Sequence, residues 1–362
     1  MSRFLKWLSN KVRENANRSE KEEDKSSNNS DSGRNFYHNF ERRENKIRKI
    51  LEEQTADFQE LRNLCWKGIN DPILRAETWR ILLNYEPAQK ERRIPTLEKK
   101  REEYRSYIVE IYEERDDLNG ILTQLDKDMP RTRQDFALFK KQCIQNMMRR
   151  ILYILAIRNP ASSYVQGLNE LCVPFITVFL MPNYHCDPKR LSAPIEDPSQ
   201  DLLLQVEADT YWCLANIMTF MHDFFMHSTP GVQRAMIKIG DVIKRVDPQL
   251  SAYMENADVT PISYAFRWVS CFMMREFPLH LGLYVWDAFI ADEGGFHGLC
   301  GYLGAALVLN WKNELMQKNM SEMLQFLHKV PTQHWDIEEI SMLLSRAFYF
   351  KSLFDDSPNH LG

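Results

Sequence analysis

The sequence predicts an all-α protein. Apolar residues recur every three or four positions over most of its 362 residues, β-type alternation is scarce, and there is no internal repeat of fixed period, which counts against a solenoid. From about Asn15 to Asn35 the chain is Ser, Asn, Glu and Lys with almost no apolar residue, so ordering it costs backbone entropy that no burial offsets, and residues 1–35 are expected to be a disordered tail. Within it, Phe4, Leu5, Trp7, Leu8 and Val12 gather on one side of a short amphipathic helix over residues 3–13 that carries Arg3, Lys6, Lys11 and Arg13. That pattern suits peripheral contact with a membrane surface or an adaptor groove, and the plainer reading is a sticky, unfolded terminus.

Amphipathic periodicity then places a leading helix around Asn35 to Glu53 (36–60 as a segment), followed by helices over Pro72–Leu83 and Pro95–Glu114. The series Phe136, Phe139, Cys143, Met147, Ile151, Ile154 steps by three or four throughout and predicts one long helix. It ends at Asn159-Pro160, where proline removes a donor and disfavours helical backbone in the residue before it. Pro182, Pro188, Pro194 and Pro198 turn Met181–Gln200 into a long surface loop. Further helices are predicted over Asp201–Phe225, Gly231–Val246, Ser263–Glu276, Leu279–Ile290, Phe296–Asn310 and Ile337–Phe354, leaving 357–362 as a C-terminal tail.

Composition excludes several classes of function. With 44% hydrophobic and 27% charged residues the chain has the make-up of an ordinary globular protein. Its net charge of −4 and dispersed Lys and Arg residues offer no concentrated basic face, so no nucleic-acid role is expected. Seven cysteines lie scattered without a CxxC pair and follow no signal peptide, which predicts reduced, cytosolic thiols. The apolar run from Cys172 to Met181 contains Pro174 and is shorter than the roughly 18 to 20 residues of a membrane span. His185 and Cys186 are adjacent, and His222 and His227 are five apart, off a single helical face, so no metal site is expected. No GxxxxGK[ST] loop exists to cradle a nucleotide, and no cofactor of its own is expected.

Two short segments carry the chemistry: Leu125-Asp126-Lys127-Asp128-Met129-Pro130-Arg131-Thr132, and Tyr164-Val165-Gln166-Gly167. A guanidinium neutralises charge on a transferring phosphoryl group, and a carboxamide both donates and accepts hydrogen bonds, which suits orienting an attacking water. Thr132 with Asp135 has the form of a helix-capping box, which leaves Arg131 just outside the helix. On spacing alone Arg131 reads as a solvated arginine or a partner of Asp128. Asp128 three residues earlier can hold the guanidinium, and Pro130 restricts the chain leading into it. Ser163 through Gln166 fits a capping box too, with glutamine at the third helical position. Gly167 in that first helical turn then costs about 1 kcal/mol against alanine, which points to something approaching the backbone closely.

Together these segments resemble the IxxDxxR and YxQG fingerprints of the TBC domain, the Rab GTPase-activating fold, with Leu125 in place of the isoleucine. Gly68-Ile69, Arg75, Trp79, Leu82-Leu83, Tyr85 and Pro87 look like that family's opening motif, and Glu207 to Cys213, including Trp212, like its middle one. Phe266-Arg267-Trp268, Arg275 to Pro278 and Trp286-Asp287 are similar to the late motifs. Of these, Arg75, Trp79, Trp212, Arg267, Trp268, Trp286 and Asp287 read as structural, aromatic side chains filling the core with charged partners between them. Ala156 to Ser162, Pro331 to Trp335 and Pro358 to His360 are most like the member-22 branch, related to a yeast Golgi Rab activator.

The resemblance runs from about Leu61 to the C-terminus. It implies a V-shaped, wholly helical domain over 61–356, built of two helical subdomains, roughly 61–230 and 231–356. It also implies an activator of GTP hydrolysis by a GTP-bound Rab-family small GTPase, not an enzyme in the strict sense. In that reading Arg131 and Gln166 are catalytic fingers supplied in trans. Asp128, Pro130, Thr132, Tyr164, Gly167 and Asn169 support them, and GTP and Mg²⁺ are bound by the partner. The alternative is the same fold used as an effector or scaffold that grips a Rab without stimulating it. The resemblance places the protein in the cytoplasm, peripheral to endomembranes such as the Golgi, acting in vesicle transport. Two departures, Tyr284 where members commonly have arginine and Glu170 where they commonly have aspartate, bear on fine positioning and partner preference.

Overall fold

The computed structural model describes residues 29–113, 120–165, 167–184, 196–226 and 228–355, with side chains from residue 40 onward. Among them there is no strand, only an isolated bridge between Thr55 and Gln89, and the fold is all-α as predicted. They fall into two compact units, one ending at Asn45 and one beginning at Lys46, and the first helix, Asn29–Glu52, straddles that division.

This helix starts well before the position expected from composition. Extending a formed helix needs no new nucleus. The segment 3–13 lies outside the described residues.

From Lys46 onward the helices enclose one apolar core. At its centre is Leu168–Tyr184, in which every residue from Leu168 to Met181 is buried. An all-round apolar helix can be satisfied only by neighbours on every side. Pro72–Leu82, Gln142–Arg158, Gln200–Phe220 and Leu279–Ala291 all pack against it. Trp79, Phe175 and Trp286 meet in one aromatic nest, with Trp79 nearly parallel to Trp286 at 6.1 Å and edge-on to Phe175 at 5.7 Å. Burying each such ring is worth roughly 1.5–3 kcal/mol. Sequence periodicity missed this helix because an apolar run carrying Pro174 and Pro182 has no polar face to reveal its period. It also extends to Tyr184, three residues into the expected surface loop, of which 185–195 lie outside the described residues.

Several predicted helices are broken where one residue leaves helical backbone. Lys141 takes ψ 131°, dividing the long Phe136 helix into Ala137–Lys140 and Gln142–Arg158, which ends at Asn159 as expected. Met221 separates Gln200–Phe220 from His222–Phe225. Ser263–Glu276 is not one helix but Pro261–Tyr264, Phe266–Ser270 and a turn in which Phe272 and Met273 have positive φ. The short helices Phe58–Cys65, Ile121–Asp128, Pro248–Asn256 and Met320–His328 are too brief for their periodicity to have stood out.

Candidate functional site

Ile121–Asp128 buries Ile121, Leu122 and Leu125, and its last residue, Asp128, is itself only 6% exposed. The chain then tightens into a single 3-10 turn, Met129–Arg131, where Met129 is buried and the Pro130 ring fixes its own φ. The carbonyl of Pro130 accepts from Gln134 Nε2 at 2.5 Å, closing the turn on its outer side. Arg131 ends the turn, exposed and without a hydrogen-bond or ion-pair partner among the described residues.

Asp128 does not hold Arg131, contrary to expectation. Its carboxylate accepts from Tyr164 Oη at 2.8 Å and from Gln124 Nε2 at 3.1 Å, and so is taken up by groups behind the turn. The expected Thr132–Asp135 capping box is also absent. Thr132, 1% exposed, donates its hydroxyl to the Asp128 carbonyl at 3.0 Å and accepts from Asn169 Nδ2 at 2.7 Å, while the helix that follows begins at Ala137 with no side-chain cap. Asp135 instead pairs with Arg133. The Asp128 carbonyl one turn earlier and the buried Asn169 amide, which must find a partner, outcompete the cap.

Asp128, Thr132, Tyr164 and Asn169 therefore form one continuous network that ties the Arg131 turn to the segment on either side of position 166. Burial, reinforced by the Asp128 carboxylate as acceptor, pushes the Tyr164 phenol well above its ordinary range, so it stays a donor. Gln166 lies outside the described residues. Its neighbours are placed: Ser163 has φ 52°, Gly167 has φ 101°, and the Leu168 amide donates to the Val165 carbonyl at 3.1 Å. The helix thus starts at Leu168, after the motif, and Ser163 is no cap. Gly167 is required by its backbone conformation rather than by crowding, since an added Cβ would meet only Cys271 Sγ, at 4.0 Å.

Arg133, which sequence reasoning passed over, and the Glu170 and Arg275 that it noted lie around these. Arg133, with φ 43°, stacks over Phe136 at 4.6 Å and reaches the Met274 carbonyl at 3.3 Å, anchoring the Arg131 segment to the 271–276 turn. Glu170 is 4% exposed, its Oε2 has no hydrogen-bond partner, and its Oε1 lies 3.6 Å from Arg275. Burial raises its pKa against the opposing pull of Arg275 and Arg133. Among the described residues seven non-glycine positions have positive φ, and five of them, Arg133, Ser163, Thr229, Phe272 and Met273, lie in the loops that converge here. Such strain collects where function over-determines the backbone. Only the positive φ of Gly167 had a signal in sequence, the glycine itself.

The second motif group sits apart from this chemistry. Asp287, fully buried, receives Trp79 Nε1 at 2.7 Å, the Ile69 amide at 2.9 Å and Arg75 Nε and Nη2 at 3.1 Å. Arg75 also donates to the Ile69 carbonyl. Tyr284 lies against Gly68, where a Cβ would come within 2.4 Å of the ring, and stacks 5.0 Å from the Arg75 guanidinium. Trp286 donates to the Phe272 carbonyl at 3.1 Å, and Trp212 to that of Lys100 at 2.8 Å. Trp268 is fully buried, and Arg267 makes a bidentate pair with Glu276 at 2.8–2.9 Å. No group of three His, Cys, Asp or Glu residues able to hold a metal occurs among the described residues. No helix among them is long and apolar enough to cross a membrane.

This arrangement has counterparts among known proteins. The sequence profile of the Rab-GTPase-TBC domain matches residues 72–316. The chain is 36% identical over 318 residues to TBC1 domain family member 22B of Homo sapiens, covering 87% of this chain and 62% of that protein. It is 34% identical over 321 residues to the GTPase-activating protein gyp1 of Schizosaccharomyces pombe, again covering 87% and 62%. This chain thus spans less than two thirds of these relatives' length. The crystal structure of the Ypt/Rab-GAP domain of Gyp1p superposes with a TM-score of 0.81 at 33% identity, covering 87% of this chain and 99% of that one.

Proposed function

The chain belongs to the Rab-GTPase-TBC domain family, and from that premise we propose that it activates GTP hydrolysis by a Rab-family small GTPase in its GTP-bound state. One observation carries the reading furthest: Arg131, exposed and with no partner among the described residues, ends a turn whose base is bonded, through Tyr164–Asp128 and Asn169–Thr132, to the segment that bears Gln166. An arginine held at its root and free at its tip can enter a foreign site without first breaking an ion pair.

In this reading the Arg131 guanidinium approaches the β/γ oxygens of GTP and neutralises the negative charge that builds as the γ-phosphoryl leaves. The Gln166 carboxamide oxygen accepts a hydrogen bond from the attacking water and its NH2 donates one to a γ-phosphoryl oxygen, fixing the line of attack. The GTPase supplies the nucleotide and Mg²⁺, and this chain supplies charge and orientation. It changes the rate of a reaction centred on its partner. An arginine supplied in trans is worth about 10³ to 10⁵ in rate, or roughly 4–7 kcal/mol of barrier. A Rab substrate also places the protein at the cytoplasmic face of endomembranes, with the Golgi favoured by likeness to the yeast activators and the 3–13 segment as a peripheral contact. The test is single-turnover GTP hydrolysis over a panel of Rab GTPases with wild type, Arg131→Ala and Gln166→Ala. The reading requires stimulation by wild type and its loss in each variant; binding of GTP-loaded Rab with no gain in phosphate release would instead establish a scaffold.

A further inference from the structure

Beside the segment that carries Gln166 lies a shallow notch of about 30 Å³. Val165, Gly167 and Leu168 form one wall, Phe225 and Val232 the floor, and Phe266 the rim; among the described residues no charged side chain lines it. Phe225, Val232 and Leu168 are buried, whereas Phe266 is 51% exposed, and Ile262, one turn earlier, is 72% exposed. Its lining is mostly apolar, with Thr229 and Ser270 the polar side chains among the described residues. Thr229, a β-branched residue, has φ 43° beside it, a conformation that costs energy and persists only where the surrounding structure holds it. A half-exposed aromatic beside a mostly apolar hollow has the make-up of an interface anchor.

Resting on the activator reading above, we infer that this notch and the Phe266 ring receive an apolar side chain of the GTP-bound GTPase, docked beside its nucleotide site. Continuity argues for that occupant over another. Val165 and Gly167 flank Gln166 in the chain and wall the notch at once, so a partner close enough for Gln166 to meet its γ-phosphate must cover the notch as well. The absence of lining charge selects an aliphatic or aromatic group over a basic or acidic one. Phe266 is then a binding and specificity residue and takes no part in the reaction. A GTPase with a charged residue at the matching position is rejected, because that charge is buried unpaired.

The two roles separate kinetically. Single-turnover hydrolysis is followed with increasing activator on the Rab GTPase that wild type stimulates most, yielding a maximal rate and a half-saturating concentration. Phe266→Ala is expected to raise the half-saturating concentration about fivefold or more, Phe266→Asp further, and Phe266→Leu least, each leaving the maximal rate within about twofold. Arg131→Ala is expected to do the reverse. Since half of the Phe266 ring is already in water, these variants keep the fold, which thermal melting checks. A half-saturating concentration that stays within twofold in both Phe266→Ala and Phe266→Asp overturns the notch assignment while leaving the activator reading in place. Wild type that stimulates no member of the panel overturns the activator reading and the notch with it.

Discussion

Two arginines in this molecule face opposite fates. Arg75 is 2% exposed, and its guanidinium is matched to Asp287 and the Ile69 carbonyl, with the Tyr284 ring on its face. Arg131 is exposed and unmatched among the described residues, and the neighbouring acid that could have held it, Asp128, faces Tyr164 and Gln124. Both sit in motifs of the same family, so motif membership does not distinguish them. The distinction lies in where the acidic neighbour spends its lone pairs. A guanidinium whose donors are all answered inside the fold stabilises the fold; one whose neighbours are all answered elsewhere is available to a partner.

The sharpest way to break this contrast is Arg131→Ala. It is expected to lower the maximal GTP hydrolysis rate about 10³-fold or more while leaving the thermal melt unchanged. A variant that melts early instead would make Arg131 structural. Its mirror image is Asp287→Ala, which strands Arg75 as an unpaired buried charge. That should cost about 3–5 kcal/mol in urea unfolding, with activity falling only as far as the folded fraction falls.

Tyr164→Phe lies between the two. It removes one hydrogen bond to the buried Asp128, worth about 1 kcal/mol, and loosens the tie between the Arg131 turn and its neighbour. The maximal rate should fall about tenfold to a hundredfold in single-turnover assays, more than the loss of stability explains.

The smallest effect concerns Glu170. Burial raises its pKa, so between the ordinary carboxylate range and the raised value the folded protein binds a proton that the unfolded chain has released. The stability it contributes is therefore fully present below that range and is lost as pH rises through the folded pKa. Glu170→Gln should flatten this fall, which unfolding curves collected from pH 4 upward, on the order of one per unit, will register; an unchanged slope rejects it.

Which parts of this were legible beforehand follows from the range of the forces involved. The 231–246 and 337–354 helices were readable to within a residue or two because a one-sided apolar stripe is a local property. Leu168–Tyr184 was not, because burial on all sides erases the stripe. At the site, sequence placed Asp128, Thr132, Tyr164 and Asn169 in supporting roles by resemblance, but paired Asp128 with Arg131 and Thr132 with Asp135. Local spacing favours those pairs. The observed partners of Asp128 and Thr132 lie up to 37 positions away, and only the fold brings them within reach. Arg133 carries no sequence signal for its tertiary partner, since the Met274 carbonyl comes from another turn, and the Glu170–Arg275 approach joins two positions that the sequence singled out separately.

The Asn169–Thr132 bond has a consequence for anyone building chimaeras. Because side chains rather than shared backbone join the segments that carry Arg131 and Gln166, neither is a self-contained cassette. Transplanting residues 121–136 from a cousin without its 164–170 counterpart would splice mismatched halves of a clasp. The hybrid should fold yet work sluggishly, and exchanging both pieces together should bring the donor's speed with them.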